Sequence, residues 1–101
     1  MDTYTLIGQT IQNKQQVTAV YSGHYREMCP HVIGWKDGRP HAMFFQFGGT
    51  SSRGLSPGGD WRCVDVELLQ DVQVRDGVWH TGAGHSRPQT CIDELDVEVD
   101  Y

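Results

Sequence analysis

"HVIGWKDGRPHAMFFQF", His31 to Phe47, is the stretch that decides the fold. Asp37-Gly38 is the strongest hairpin signal in the chain, because the two-residue turns that suit the twist of paired strands need positive φ at both central positions, which Asp-Gly adopts at little cost. On the arm after the turn, His41, Met43, Phe45 and Phe47 point one way and Ala42, Phe44 and Gln46 the other. Both faces carry bulk, so this should be the central strand of the sheet.

Upstream, "QVTAVYSGHYREMC" (16–29) also has period two. Val17, Ala19 and Tyr21 share a face, Ser22-Gly23 makes a tight turn, and His24, Arg26 and Met28 share a face on the returning strand. Pro30 has no N–H for a ladder and marks a break or bend. Before this hairpin, Asp2 or Thr3 caps a short helix whose apolar stripe is Leu6, Ile7 and Ile11. Gly8 weakens that helix by about 1 kcal/mol relative to Ala, so docking must hold it.

Downstream, "GGTSSRGLSPGGD" (48–60) is a loop by composition, and loops of about a dozen residues in compact domains are more often functional than mere connectors. "WRCVDVELLQDVQV" (61–74) resumes strand character until Asp76-Gly77. Residues 77–91 are irregular, and "ELDVEVDY" (94–101) alternates apolar residues with acids, as a half-buried edge strand does. One helix and at least five short antiparallel strands predict a mainly β fold, a small antiparallel barrel or strongly bent sheet with one N-terminal helix. The expected organisation is one domain over 1–101, with its core at about 4–76, an irregular segment at 77–91 and an acidic tail at 92–101.

Charge is distributed unevenly. Residues 1–90 hold eight basic and eight acidic side chains, and the net charge of −5 comes from Asp93, Glu94, Asp96, Glu98 and Asp100. A neutral body disfavours wholesale duplex binding but leaves room for a local pocket built from a few arginines. No apolar run approaches the roughly 20 residues that cross a bilayer, and the N-terminus lacks a signal-like pattern, so no membrane partner is expected. Three cysteines, Cys29, Cys63 and Cys91, cannot all pair within one chain and lack CxxC spacing, which fits a reducing cytoplasm.

Cys29 with His31, or His80 with His85, does not give the paired ligand spacing of structural zinc, and no metal or other cofactor is expected. His24 or His31 with Asp60 or Asp65 and a serine or Cys29 makes no recognised nucleophile motif, so no enzyme is expected. "FGGTSSRG" lacks the P-loop pattern, although its glycines and hydroxyls suit an anion. Arg26 and Arg62 either snorkel from the surface or, if the hairpins close up, converge with His31 and Gln46 near the glycine loop as forked donors for phosphate or a base edge.

In order along Ile7 to Val74, the chain resembles the WYL domain family. The resemblance rests on a lead-in helix, Tyr21-x-Gly23, Arg26 and Pro30 on the next strand, Gly34, the aromatic strand Met43 to Phe47, and Trp61-Arg62 after the loop. Met43-Phe44-Phe45 stands where the family has Trp-Tyr-Leu, so the tyrosine hydroxyl is missing there. The resemblance implies an SH3-like or Sm-like barrel that senses nucleotide-type ligands or nucleic-acid ends, commonly within bacterial transcription regulators and in DNA-damage or phage-defence settings. It nominates Arg26 and Arg62 as anion-binding positions, with His31, Gln46 and Ser51 as polar neighbours. The leading expectation is a non-enzymatic module for a nucleotide or single-stranded nucleic acid, with the 48–59 loop acting as a lid. Tyr21, Phe44, Ser52, Arg53 and Trp61 are secondary candidates around them. The competing expectation is an interaction module in which the acidic tail pairs with a second copy, or with a regulator partner protein.

Overall fold

The computed structural model describes residues 1–51, 54–82 and 92–100. Its elements are α1 (Thr3–Asn13), β1 (Gln16–Tyr21), β2 (His24–Lys36), β3 (Arg39–Gly49), β4 (Asp60–Asp65), a 3-10 turn (Val66–Leu68), β5 (Gln70–Arg75) and β6 (Glu94–Glu98). Asp2 is the helix cap, its carboxylate accepting the Thr5 amide at 2.8 Å, and the helix stops at Lys14 in the left-handed region. Ser22-Gly23 and Asp37-Gly38 make the two predicted turns, all four residues at φ between 50° and 79°.

The strands form one antiparallel sheet in the order β4-β3-β2-β1-β5, with β6 also paired to β2. β2 is the central strand, not β3 as its two-sided bulk suggested, because β2 is long enough to pair with β1 and β6 in succession along the edge opposite β3. β3 takes one edge along its length, while β1 takes residues 24–28 of the other edge and β6 takes residues 32–35. Pro30 lies in the interval where β2 changes partner, so its missing N–H coincides with a gap in the ladder and the strand bends through it without breaking.

β4 and β5 sit at opposite ends of the strand order yet are joined only by Val66 to Leu69. So short a link is possible only if the sheet curls until its ends approach. Those ends do not pair, and the result is a strongly bent open sheet, mainly β, without the full closure of a barrel. The predicted single strand run at 61–74 is therefore two strands, because Val66 turns inward to join the core.

Ile7 and Ile11 of α1 pack on the concave face against Val17, Met28, Ile33, Phe44 and Val64. A smaller cluster of Val32, Met43 and Ile92, with Trp61 against it, fills the opposite face. β3 is buried on both sides, as its double-faced bulk predicted. Among the described residues no helix is long and apolar enough to cross a membrane.

Helix and acidic strand are tied by Tyr4, whose ring meets Trp35 at 5.4 Å and whose hydroxyl donates to Asp96 at 2.7 Å. Burial first, then the Asp96 carboxylate, push the phenol up to about 12 from 10.0. The folded state thus favours the neutral ring, so this contribution is complete below pH 10 and is lost between pH 10 and 12. Tyr4→Phe should lessen that alkaline loss relative to wild type in urea unfolding; identical alkaline profiles would refute the linkage.

Candidate anion-binding site

Three neighbouring strands each send one polar side chain to the concave face where the apolar core ends. Arg26 on β2 is in register with Ala19, Gln46 on β3 with Met28 and Asp60, and Arg62 on β4 with Phe44. Gln46 is completely buried and Arg26 is 5% exposed, whereas the Arg62 side chain is 20% exposed.

Gln46 is the hub. Its amide nitrogen donates to the carbonyls of Gly48 and Thr50, both at 3.0 Å, which orients its oxygen toward the arginines. That single neutral oxygen accepts from Arg26 Nη1 at 3.4 Å and from Arg62 Nε at 3.2 Å. Arg26 also donates to the Tyr21 carbonyl at 3.2 Å and lies 5.3 Å from the Tyr21 ring. Its Nε is buried without a partner.

Arg62 faces the loop. Its Nη2 reaches Ser51 Oγ at 3.1 Å, the Gly54 carbonyl at 3.0 Å and Asp60 at 3.4 Å, and Ser51 Oγ donates to Gly54 at 2.7 Å. Asp60 also accepts the Ser56 amide at 2.8 Å. That amide, and to a smaller extent the Arg62 guanidinium, hold the Asp60 carboxyl below the usual carboxylate range. Glu27 and Asp65 are engaged elsewhere, by Arg75 and Arg39. Among the described residues no carboxylate pairs with Arg26. Burial, and then the neighbouring Arg62 charge, push the Arg26 guanidinium below its ordinary range, against the opposing pull of Tyr21.

Arg26, Gln46, Ser51 and Arg62 are therefore brought together, with Tyr21 beneath Arg26. His31 is not among them. It is fully buried, with Nδ1 2.9 Å from the Cys29 carbonyl and Nε2 3.0 Å from Thr81 Oγ1, and its ring stacks on Trp79 at 4.4 Å and meets the edge of Trp61 at 4.7 Å. A carbonyl beside Nδ1 requires a proton on that nitrogen. Phe44 is core, Trp61 belongs to the opposite face, and Ser52 and Arg53 lie outside the described residues. The loop at the site begins at Thr50, since Gly48 and Gly49 complete β3.

Sequence reasoning used Asp60 only as a possible hydrolytic partner, yet its position two residues before Arg62 puts both on one face of a strand. On the other side of that strand a cleft of about 310 Å³ is lined by Phe45, Gly59, Asp60, Trp61 and Thr81 among others. Cys29 is a free thiol that burial pushes up, and Cys63 is disulfide-bonded. No family model matches the chain, and neither a curated protein nor a solved structure matches it significantly.

Proposed function

We propose that this protein is a non-enzymatic binding module for a negatively charged ligand, a nucleotide or single-stranded nucleic acid, held by Arg26 and Arg62. One observation carries the reading: two guanidinium groups on a largely buried face share a single neutral oxygen, and Arg26 keeps a buried N–H unused. A desolvated charge without a counter-ion is costly for folding alone, and an incoming phosphate would supply what the fold withholds. Gln46 orients the pair, and Ser51 Oγ and the Gly54 carbonyl are the loop partners that Arg62 would exchange for the ligand. The WYL-like order of these residues supports the same reading and suggests a bacterial regulatory or defence setting. A cytoplasmic location, suggested by the odd cysteine count, has to accommodate the Cys63 disulfide, a bond rare in reducing compartments.

The test is calorimetry with nucleotides and short oligonucleotides on wild type and on the Arg26→Ala, Arg62→Ala double variant. The variant should lose about 100-fold or more in affinity while keeping its circular dichroism spectrum; retained affinity would sink the assignment. His31 is buried between Trp61 and Trp79 and is not at the arginines, so the pH dependence of affinity should be the same with and without its imidazole. A dependence on pH that disappears when His31 is replaced by Gln would restore His31 to the site.

A further inference from the structure

One titratable side chain borders the arginines at the hairpin end of β2. His24 precedes Arg26 by two positions, so strand alternation puts both on the same face. It is half-buried and in register with Tyr21, whose carbonyl accepts from Arg26 Nη2 at 3.2 Å, so the guanidinium leans toward the end of the strand where His24 stands. Its Nδ1 lies 3.2 Å from Thr50 Oγ1. Thr50 is itself built into the site, since its carbonyl accepts from the Gln46 amide at 3.0 Å and its own amide donates to the Tyr25 carbonyl at 2.8 Å. A hydroxyl can donate or accept, so Thr50 keeps its bond to Nδ1 in both charge states of the ring, and charging turns Nε2 into a second donor. Around the imidazole, β1 brings the Tyr21 phenol, β2 brings Arg26, and β4 brings Asp60 and Arg62 from across Gln46. On β5, beyond β1, Asp71 follows the partner of Val20. Glu27 is occupied by Arg75, and among the described residues no carboxylate pairs with His24.

We propose that His24 is a third, proton-dependent donor of this site, so that the protein takes up a proton with its phosphate ligand and binds it more tightly as pH falls from about 8 to about 5.5. The inference rests on the anion-binding reading above and adds its regulation. A bound phosphate favours the charged imidazole over the neutral one, so the complex holds the proton more firmly than the free protein does. The gain in affinity is complete below the titration of the ring in the free protein, and it is lost as pH rises through the titration of the ring in the complex. Guanidinium groups keep their charge across this range, and Asp60 stays ionised because the Ser56 amide holds its carboxyl low. His31, farther along the same strand, is enclosed by Trp61 and Trp79 away from the arginines, so the proton is taken up at the hairpin end of β2.

The probe is a thymidine dinucleotide without a terminal phosphate, whose one diester keeps a single charge throughout, whereas a monoester would itself titrate near a pH of about 6. Calorimetry is run at about 0.15 M salt, where distant surface charges are screened. Wild type should bind about tenfold more tightly at a pH of about 5.5 than at about 8, the gain that one unit of coupled proton affinity provides. His24→Asn keeps a polar partner for Thr50 without the charge, and its two affinities should agree within about twofold. His24→Lys carries a fixed charge and should bind at both pH values about as tightly as wild type does at the lower one. The other four histidines are present in all three proteins, so the differences belong to position 24. Equal wild-type affinity at the two pH values overturns the inference, as does a pH dependence that persists in folded His24→Asn. Either result leaves the anion pocket standing if binding is lost in the Arg26→Ala, Arg62→Ala double variant. No binding by wild type at either pH overturns the pocket and this inference together. Should His24→Asn fail to fold, His24→Lys decides, and a pH dependence that survives there overturns the inference.

Discussion

Replacing Arg26 with methionine should make the protein more stable and unable to bind its anion. The substitution keeps an unbranched side chain against Tyr21 at a residue that is 5% exposed, while removing a guanidinium that has no carboxylate partner among the described residues, leaves Nε unsatisfied and is repelled by Arg62. Losing the bond to the Tyr21 carbonyl costs about 1 kcal/mol, and losing the contact with the Tyr21 ring costs a similar amount. Against this stands the relief of a buried, unpaired charge and an orphaned donor, worth several kcal/mol on the usual scale. A net gain of about 1–2 kcal/mol in urea unfolding is expected, with loss of nucleotide affinity in calorimetry. A variant that is less stable than wild type would make Arg26 a structural residue and remove the chief argument for a ligand. The prediction separates a site that holds an uncompensated charge for binding from a hydrogen-bond network that exists to hold strands together.

Gly34→Ala should be among the most damaging single-methyl changes. Gly34 is paired with Leu95, and a Cβ there would run into the carbonyl oxygen of Glu94 and come within 2.9 Å of Ile92 Cγ2. The obstruction is mostly backbone, so it cannot be relieved by rotating a side chain, and β6 must move off β2. That movement would take Val97 and Val99 away from the main core and Ile92 from the smaller one. A loss of about 3 kcal/mol is expected, with hydrogen exchange rising first at the amides of β6. Gly38→Ala is the control. Its Cβ would meet nothing within 4 Å, but the residue sits at φ +79°, so only backbone strain of about 1 kcal/mol is expected. Similar losses at the two glycines would mean that β6 docking is weak and contributes little to the fold.

The acidic strand also shows why a charged alternation is not evidence of a disordered tail. Val97 and Val99 are claimed by the core while Leu95 stays exposed, and the strand's ladder is claimed by the second half of β2. One edge of β6 therefore serves the chain's own sheet, leaving any pairing with a second copy to the other edge.

Much of the architecture is written locally. Ser22-Gly23 and Asp37-Gly38 impose positive φ on two adjacent residues, and that sets the two hairpins. Asp2 caps the helix through its own next turn, and the two-sided bulk of Met43 to Phe45 requires cover on both faces. These features depend on neighbours a few residues away, so the sequence by itself determined them. The break at Val66, the bend rather than break at Pro30 and the partners of each polar side chain depend on contacts across the sheet. Arg26, Gln46 and Arg62 are 16 to 36 positions apart and meet because β2, β3 and β4 pair in one register. His31 shares a strand with Arg26, yet a register shift after Pro30 and the arrival of Trp79 and Thr81 enclose it elsewhere. Turn chemistry and alternation are properties of short segments; which charges are buried together, and which lack a counter-ion, are properties of strand register, and only the tertiary structure decides those.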